Sequence, residues 1–156
     1  ERRAGFRRAA GGSGLEGREL VAPLDDPAGA VAVVREALGA WAAATGTEHD
    51  TPASVLRPTA IVAESDSLAL AAYEAVRSEG LAVGADVAVT GFGDAPVARV
   101  LHPGLTSVRL PLRTIAAEIV RRLVAQVRGE AVAEQGLSLD AELVVRESSG
   151  SVGPAV

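Results

Sequence analysis

Carboxylates stand at three separated places in this chain, each just after an apolar run or a loop: Asp25 and Asp26 in "APLDDP", Glu64 and Asp66 in "VAESDS", and Asp94 in "TGFGDA". Three chemistries use such groups. Acid–base catalysis needs a partner base or nucleophile, yet no histidine, lysine or cysteine lies near these positions and no G-x-S-x-G elbow occurs, so Ser65-Asp66 has no catalytic company. Phosphate binding at "GFGD" would need G-x-G-x-x-G or G-K-[ST], and a carboxylate directly after the second glycine repels an anion. A turn with positive φ at Gly93 is the simpler reading of that stretch. The third chemistry is recognition of hydroxyls. Carboxylates accept paired hydrogen bonds from vicinal hydroxyls, and an arginine or amide supplies the matching donors. Asp66 also has a structural reading, as a helix cap worth about 1 kcal/mol.

The surrounding pattern says what must position these groups. Residues 1–10 read as a short helix closed by "GGSG", and 18–23 ("RELVAP") as a short strand. Asp26-Pro27 opens a helix that runs to about residue 44, followed by a polar loop over 45–58. "TAIVAE" (59–64) reads as a buried strand. Ser65 or Asp66 caps the next helix, which sets Leu68, Ala69, Ala72 and Val76 on one face and stops at Gly80. Further strands are expected at 85–92, 104–110 and 138–148. Between the last two, Pro111 opens an amphipathic helix with Leu112, Ile115, Ala116, Ile119, Leu123 and Val127 in one stripe, and Glu118 pairs with Arg122 on its wet side. Strands alternating with helices, the inner strands continuously apolar, predict an α/β fold: a mostly parallel sheet flanked by helices on both faces. In such sheets ligands bind outside the carboxyl ends of the strands, where the three carboxylate-bearing segments fall.

Composition narrows the function further. Hydrophobic residues make up 48% of the 156 residues and charged residues 22%, enough for a packed core. All 15 cations are arginine, and the net charge of −5 argues against this segment gripping nucleic acid by itself. No cysteine is present, which excludes disulfides and thiolate metal sites and favours a reducing cytoplasm. His49 and His102 lie far apart beside loop residues and read as surface positions, so neither a metal nor another cofactor is expected. No run reaches the ~18 apolar residues of a membrane span. The chain opens at Glu1 with neither Met nor a signal-peptide pattern, which leaves its true start open.

Several motifs in order give a more specific reading. Ser65-Asp66 with Ala69-Leu70, then Gly91-Phe92 and Asp94, then Leu105-Thr106-Ser107-Val108, then Glu142-Leu143 with Arg146-Glu147-Ser148 resemble the C-terminal half of the effector-binding domain in the lactose/galactose-repressor family of bacterial transcription regulators. The opening "RRAGF" is similar to that family's R-x-x-G-[FYW]. The resemblance spans nearly the whole chain. It implies a periplasmic-binding-protein-like lobe of type I, with 1–109 as the C-terminal lobe, 110–137 as a helical crossover towards a missing first lobe, 138–149 as a returning strand and 150–156 as a disordered tail. It also implies a homodimer that holds a small-molecule effector (a sugar, sugar derivative or nucleoside) between its lobes. A helix-turn-helix absent from this chain would grip operator DNA.

Carried over residue by residue, the resemblance assigns effector contacts to Arg2, to Ser65 and Asp66, and to Gly93. At 93 the family's carboxylate is replaced by glycine, and Asp25 or Asp26 is the candidate to compensate. Asp66 is expected to touch the effector, with Arg2 closing the opposite side; Asp66→Asn would then weaken binding and leave the melting temperature nearly unchanged. The long amphipathic helix is expected to pack on something other than this segment's own sheet. A sugar-binding component of a transport system is the alternative on the same fold. An enzyme is a third possibility, because fold alone does not fix function.

Overall fold

The computed structural model describes residues 2–15, 17–22, 25–44, 58–131 and 136–150. Helices α1 (Arg2–Gly12) and α2 (Pro27–Ala44) precede strand β1 (Ala60–Val62) and helix α3 (Asp66–Ser78). Then follow β2 (Ala88–Phe92), a short helix α4 (Pro96–Val100), β3 (Thr106–Arg109), α5 (Leu112–Val127), β4 (Glu142–Val144) and a 3-10 turn, Glu147–Ser149. The sheet runs β1-β2-β3-β4, parallel between β1 and β2 and between β2 and β3, antiparallel between β3 and β4. It is the mostly parallel α/β sheet that the alternation predicts.

Helix α3 shows why the central elements form where they do. The Ser65 hydroxyl accepts from the Leu68 N–H, Asp66 sits in the first turn where it complements the helix dipole, and Arg77 lies in the last turn. Gly80, at φ 73°, ends the helix while its N–H reaches the Arg77 carbonyl and the Leu81 N–H reaches that of Val76. This is the two-bond closure that a left-handed glycine permits. Ala69, Ala72, Ala75 and Val76 are buried, and such small side chains let α3 lie close to Val34 and Leu38 of α2 on one side and to Val87 and Val89 on the other.

Four expectations need correction. Residues 18–22 do not join the sheet. Glu19 is held by Arg3 and Arg7, and the Phe6 ring lies against Gly17, so the segment is engaged with α1 instead of with β1. The stretch between β2 and β3, for which the pattern gives only a turn at Gly93, also contains α4, with Pro96 at its first position. The last strand shrinks to Glu142–Val144, because Arg146 and Ser148 leave the ladder to bond elsewhere. The strands are also less covered than their apolar runs suggest. β2 alternates buried with half-buried residues and Val62 is 61% exposed, so among the described residues β1 is packed on one face only.

Helix α5 is where the pattern predicts it, and Glu118 binds both Arg121 and Arg122. No residue of α5 is buried, and Leu112, Ile119, Leu123 and Val127 are all exposed. Of the remaining expectations, His102 is exposed as read, whereas His49, the loop over 45–57 and the tail from 151 on lie outside the described residues.

Candidate functional site

The carboxyl ends of β1 and β2 leave the sheet side by side, with the Ala63 N–H bonded to the Thr90 carbonyl at 2.9 Å. From this edge the residues divide into a buried floor and an exposed rim.

The floor begins at Asp66. Its side chain turns inward, and the residue is 3% exposed. One oxygen accepts the Ser107 hydroxyl at 2.6 Å and the other accepts the Ala95 N–H at 2.6 Å. Ser65, not Asp66, makes the cap bond to the helix. Space around this carboxylate requires glycine at 91, where a Cβ would sit 2.4 Å from the Asp66 oxygen. Gly93 has φ 125°, a left-handed conformation that side chains resist, and its N–H bonds the Val108 carbonyl. Asp94 follows at φ 48°, a value that aspartate tolerates better than most residues.

That double turn aims Asp94 beneath the sheet edge. Its side chain is 1% exposed and accepts from Arg146 at 2.6 Å and from Arg109 Nε at 2.7 Å, with Arg99 at 3.6 Å. Burial pushes the Asp94 carboxyl up, but the hydrogen bonds from Arg146 and Arg109 outweigh it and hold the group below the ordinary carboxylate value. The Asp94 N–H donates to the Ser107 hydroxyl at 3.0 Å, so Ser107 links the two aspartates. Arg146 also donates to the Leu105 carbonyl, and its own N–H goes to Thr106 Oγ1. Ser148 then bridges β2 and β3, donating to the Val89 carbonyl at 2.6 Å and accepting the Thr106 N–H at 2.8 Å. Among the described residues no buried side-chain polar atom lacks a partner. The motifs G-F-G-D, L-T-S-V and R-E-S, far apart in sequence, are thus one satisfied hydrogen-bonded unit.

The rim belongs to α1. Arg2 donates to the Glu64 carbonyl at 3.1 Å and to the Glu64 carboxylate at 2.9 Å, and its guanidinium lies 4.5 Å from the centre of the Phe92 ring. Both side chains of the pair are open, 52% exposed for Arg2 and 64% for Glu64. Such an exposed pair contributes only ~0–1 kcal/mol, so it can rearrange around a ligand at little cost.

The structure therefore brings Arg2, Ser65, Asp66 and Gly93 to one strand edge. Asp25 is exposed just before α2, where its neighbour Asp26 accepts the Gly29 N–H. The roles of Glu64 and Phe92 at the rim, and of Ser107, Arg109, Arg146 and Ser148 in the floor, go beyond the sequence reading. The pair of hydroxyls at Thr106 and Ser107, in a strand the pattern places inside the sheet, was the available signal, since a buried hydroxyl demands a partner. No cluster of three histidine, cysteine or acidic side chains suited to a metal occurs among the described residues.

The periplasmic binding protein-like domain family matches residues 1–149. The lactose operon repressor of Rhizobium radiobacter is 36% identical over 94 residues, which are 60% of this chain and 82% of that protein. The chain belongs to the lactose/galactose-repressor family. Another relative in the family, the HTH-type transcriptional regulator CelR of Thermobifida fusca, is 35% identical over 150 residues, 95% of this chain but only 40% of that regulator. Among solved structures, a transcriptional regulator CelR–cellobiose complex superposes with a TM-score of 0.75 at 33% identity, covering 95% of this chain and 42% of the other. The chain thus has a periplasmic-binding-protein-like fold, and it spans less than half the length of the CelR regulator.

Proposed function

We propose that this chain is the effector-sensing part of a DNA-binding transcriptional regulator, taking a small hydroxylated ligand such as a sugar or sugar derivative at the carboxyl ends of β1 and β2. The observation that carries this reading is Arg2. Helix α1 delivers its guanidinium across 62 positions of sequence to Glu64 and over the Phe92 ring, where exposed donors and acceptors meet an aromatic face. That combination suits a ligand with hydroxyl edges and an apolar side. The cellobiose named with the CelR structure is a ligand of this chemistry.

Within the site, Arg2, Ser65 and the opening at Gly93 face the effector. Asp66 is a positioning residue, because both its oxygens are engaged by Ser107 and Ala95. A first lobe outside this chain closes the other side of the ligand. Helix α5 crosses to that lobe, which covers the apolar stripe left open here. The whole protein works as a cytoplasmic homodimer, reads a two-fold operator through a helix-turn-helix and catalyses no reaction.

A thermal-shift screen of the intact protein against neutral sugars, sugar phosphates and nucleosides tests this. A ligand at 100 times its Kd stabilises by about 2.7 kcal/mol, an upward shift of several degrees. Turnover of a sugar, or no shift across the whole panel, would contradict the reading.

A further inference from the structure

We propose that Glu64 is the carboxylate acceptor of this site, and that its pairing with Arg2 makes the site select neutral polyhydroxylated effectors over anionic ones. This rests on the cleft reading above.

Three carboxylates stand at these two strand ends. Asp66 is 3% exposed with both oxygens bonded inside the fold, and the Asp94 side chain is 1% exposed between arginines. Glu64 alone is open to a ligand. It leaves β1 beside the segment that carries Phe92 and Gly93, since Ala63 is still bonded to Thr90 across the strands. Arg2 ties the two segments together by resting on Phe92 while it binds Glu64. One Glu64 oxygen holds Arg2, and the other takes no partner among the described residues.

The ligand class follows from donor and acceptor bookkeeping. A guanidinium has five N–H donors, and Arg2 uses two of them on Glu64. The rim therefore offers free donors beside a free acceptor. A hydroxyl both donates and accepts, so a vicinal pair can satisfy both sides at once. A phosphate or carboxylate only accepts. It would have to displace Glu64 from Arg2 or lie against its negative charge, an unfavourable juxtaposition either way. The Arg2–Glu64 pair is neutral as a unit, and it presents hydroxyl chemistry without an uncompensated cation to attract anions.

The test is isothermal titration calorimetry of the intact protein with cellobiose, a panel of neutral disaccharides, and glucose 6-phosphate. The wild type is expected to bind a neutral sugar in preference to glucose 6-phosphate. Glu64→Gln keeps the shape and one acceptor oxygen but removes the charge, and should weaken the neutral sugar about tenfold. Glu64→Ala frees Arg2 and should raise affinity for glucose 6-phosphate above that of the wild type. Unchanged melting temperatures of both variants without ligand will show that the lobe is intact. Wild-type affinity in Glu64→Gln, or a wild type that prefers the phosphate, overturns the proposal while leaving the cleft reading standing. A wild type that binds no sugar of either charge overturns the cleft reading, and this proposal with it, before any variant is made.

Discussion

Asp66 and Glu64 stand two positions apart at the end of β1, yet Asp66 is 3% exposed with both oxygens bonded within the fold, while Glu64 is 64% exposed with Arg2 as its partner. The same contrast holds for the whole edge. Below it, Asp66, Ser107, Asp94, Arg146, Thr106 and Ser148 form a closed network; above it, the exposed Arg2 and Glu64 meet beside the half-buried Phe92. A residue in a family motif at a strand end can thus have its whole side chain engaged within the fold. Burial and satisfied hydrogen bonds tell the two apart. Substitutions in the floor should appear as lost stability, and those in the rim as lost binding.

The largest effect is expected from Asp94→Ala. It strips the mostly buried Arg146 of its carboxylate and leaves Arg109 with Glu142 alone, and breaking a buried ion pair on one side costs about 3–5 kcal/mol. Urea denaturation measures this, and a loss below about 1 kcal/mol would move Asp94 out of the floor. The same group gives the fold a pH signature. Its folded-state pKa is lowered, so its stabilisation is complete above the ordinary aspartate value of about 3.9 and is lost as the pH falls through the lower folded value. Melting curves between about pH 5 and pH 2 should be flatter for Asp94→Asn than for the wild type.

Next comes Asp66→Asn. The sequence reading has it sparing stability, but the structure predicts otherwise. The Ser107 hydroxyl and Ala95 N–H both donate to the carboxylate, and weakening such charge-assisted bonds costs about 1.5–3 kcal/mol. A melting temperature unchanged from wild type would return Asp66 to the rim. Ser148→Ala is expected to cost about 1–3 kcal/mol by leaving the Val89 carbonyl and Thr106 N–H without their bridge. Amide exchange at Thr106 should rise in step, because its N–H then has no hydroxyl acceptor.

These outcomes also mark what could be seen in the sequence. Helices α2, α3 and α5 were legible because their signals are local: Asp26-Pro27, Ser65 with Gly80, and Pro111 with an apolar stripe. Positive φ at Gly93 was legible for the same reason. The meeting of Ser65, Asp66 and Gly93 at one edge followed from the parallel order of β1 and β2, which puts their carboxyl ends side by side. What sequence could not supply were partners far along the chain. Ser107 lies 41 positions from Asp66, and Arg146 lies 52 from Asp94. No periodicity announces such pairs. The strand expected at 18–23 failed similarly, since its residues were apolar enough for a sheet but Glu19 is captured by arginines of α1.

The claim that the rim binds and the floor supports is tested most directly by Arg2→Ala, followed by thermal unfolding without ligand and calorimetric titration with the neutral sugar that gives the largest shift in the screen. Loss of an exposed ion pair should change stability by no more than about 1 kcal/mol, while loss of a charged donor to the ligand should weaken binding about tenfold or more. A fall of several degrees in melting temperature with unchanged affinity would place Arg2 in the scaffold and contradict the account.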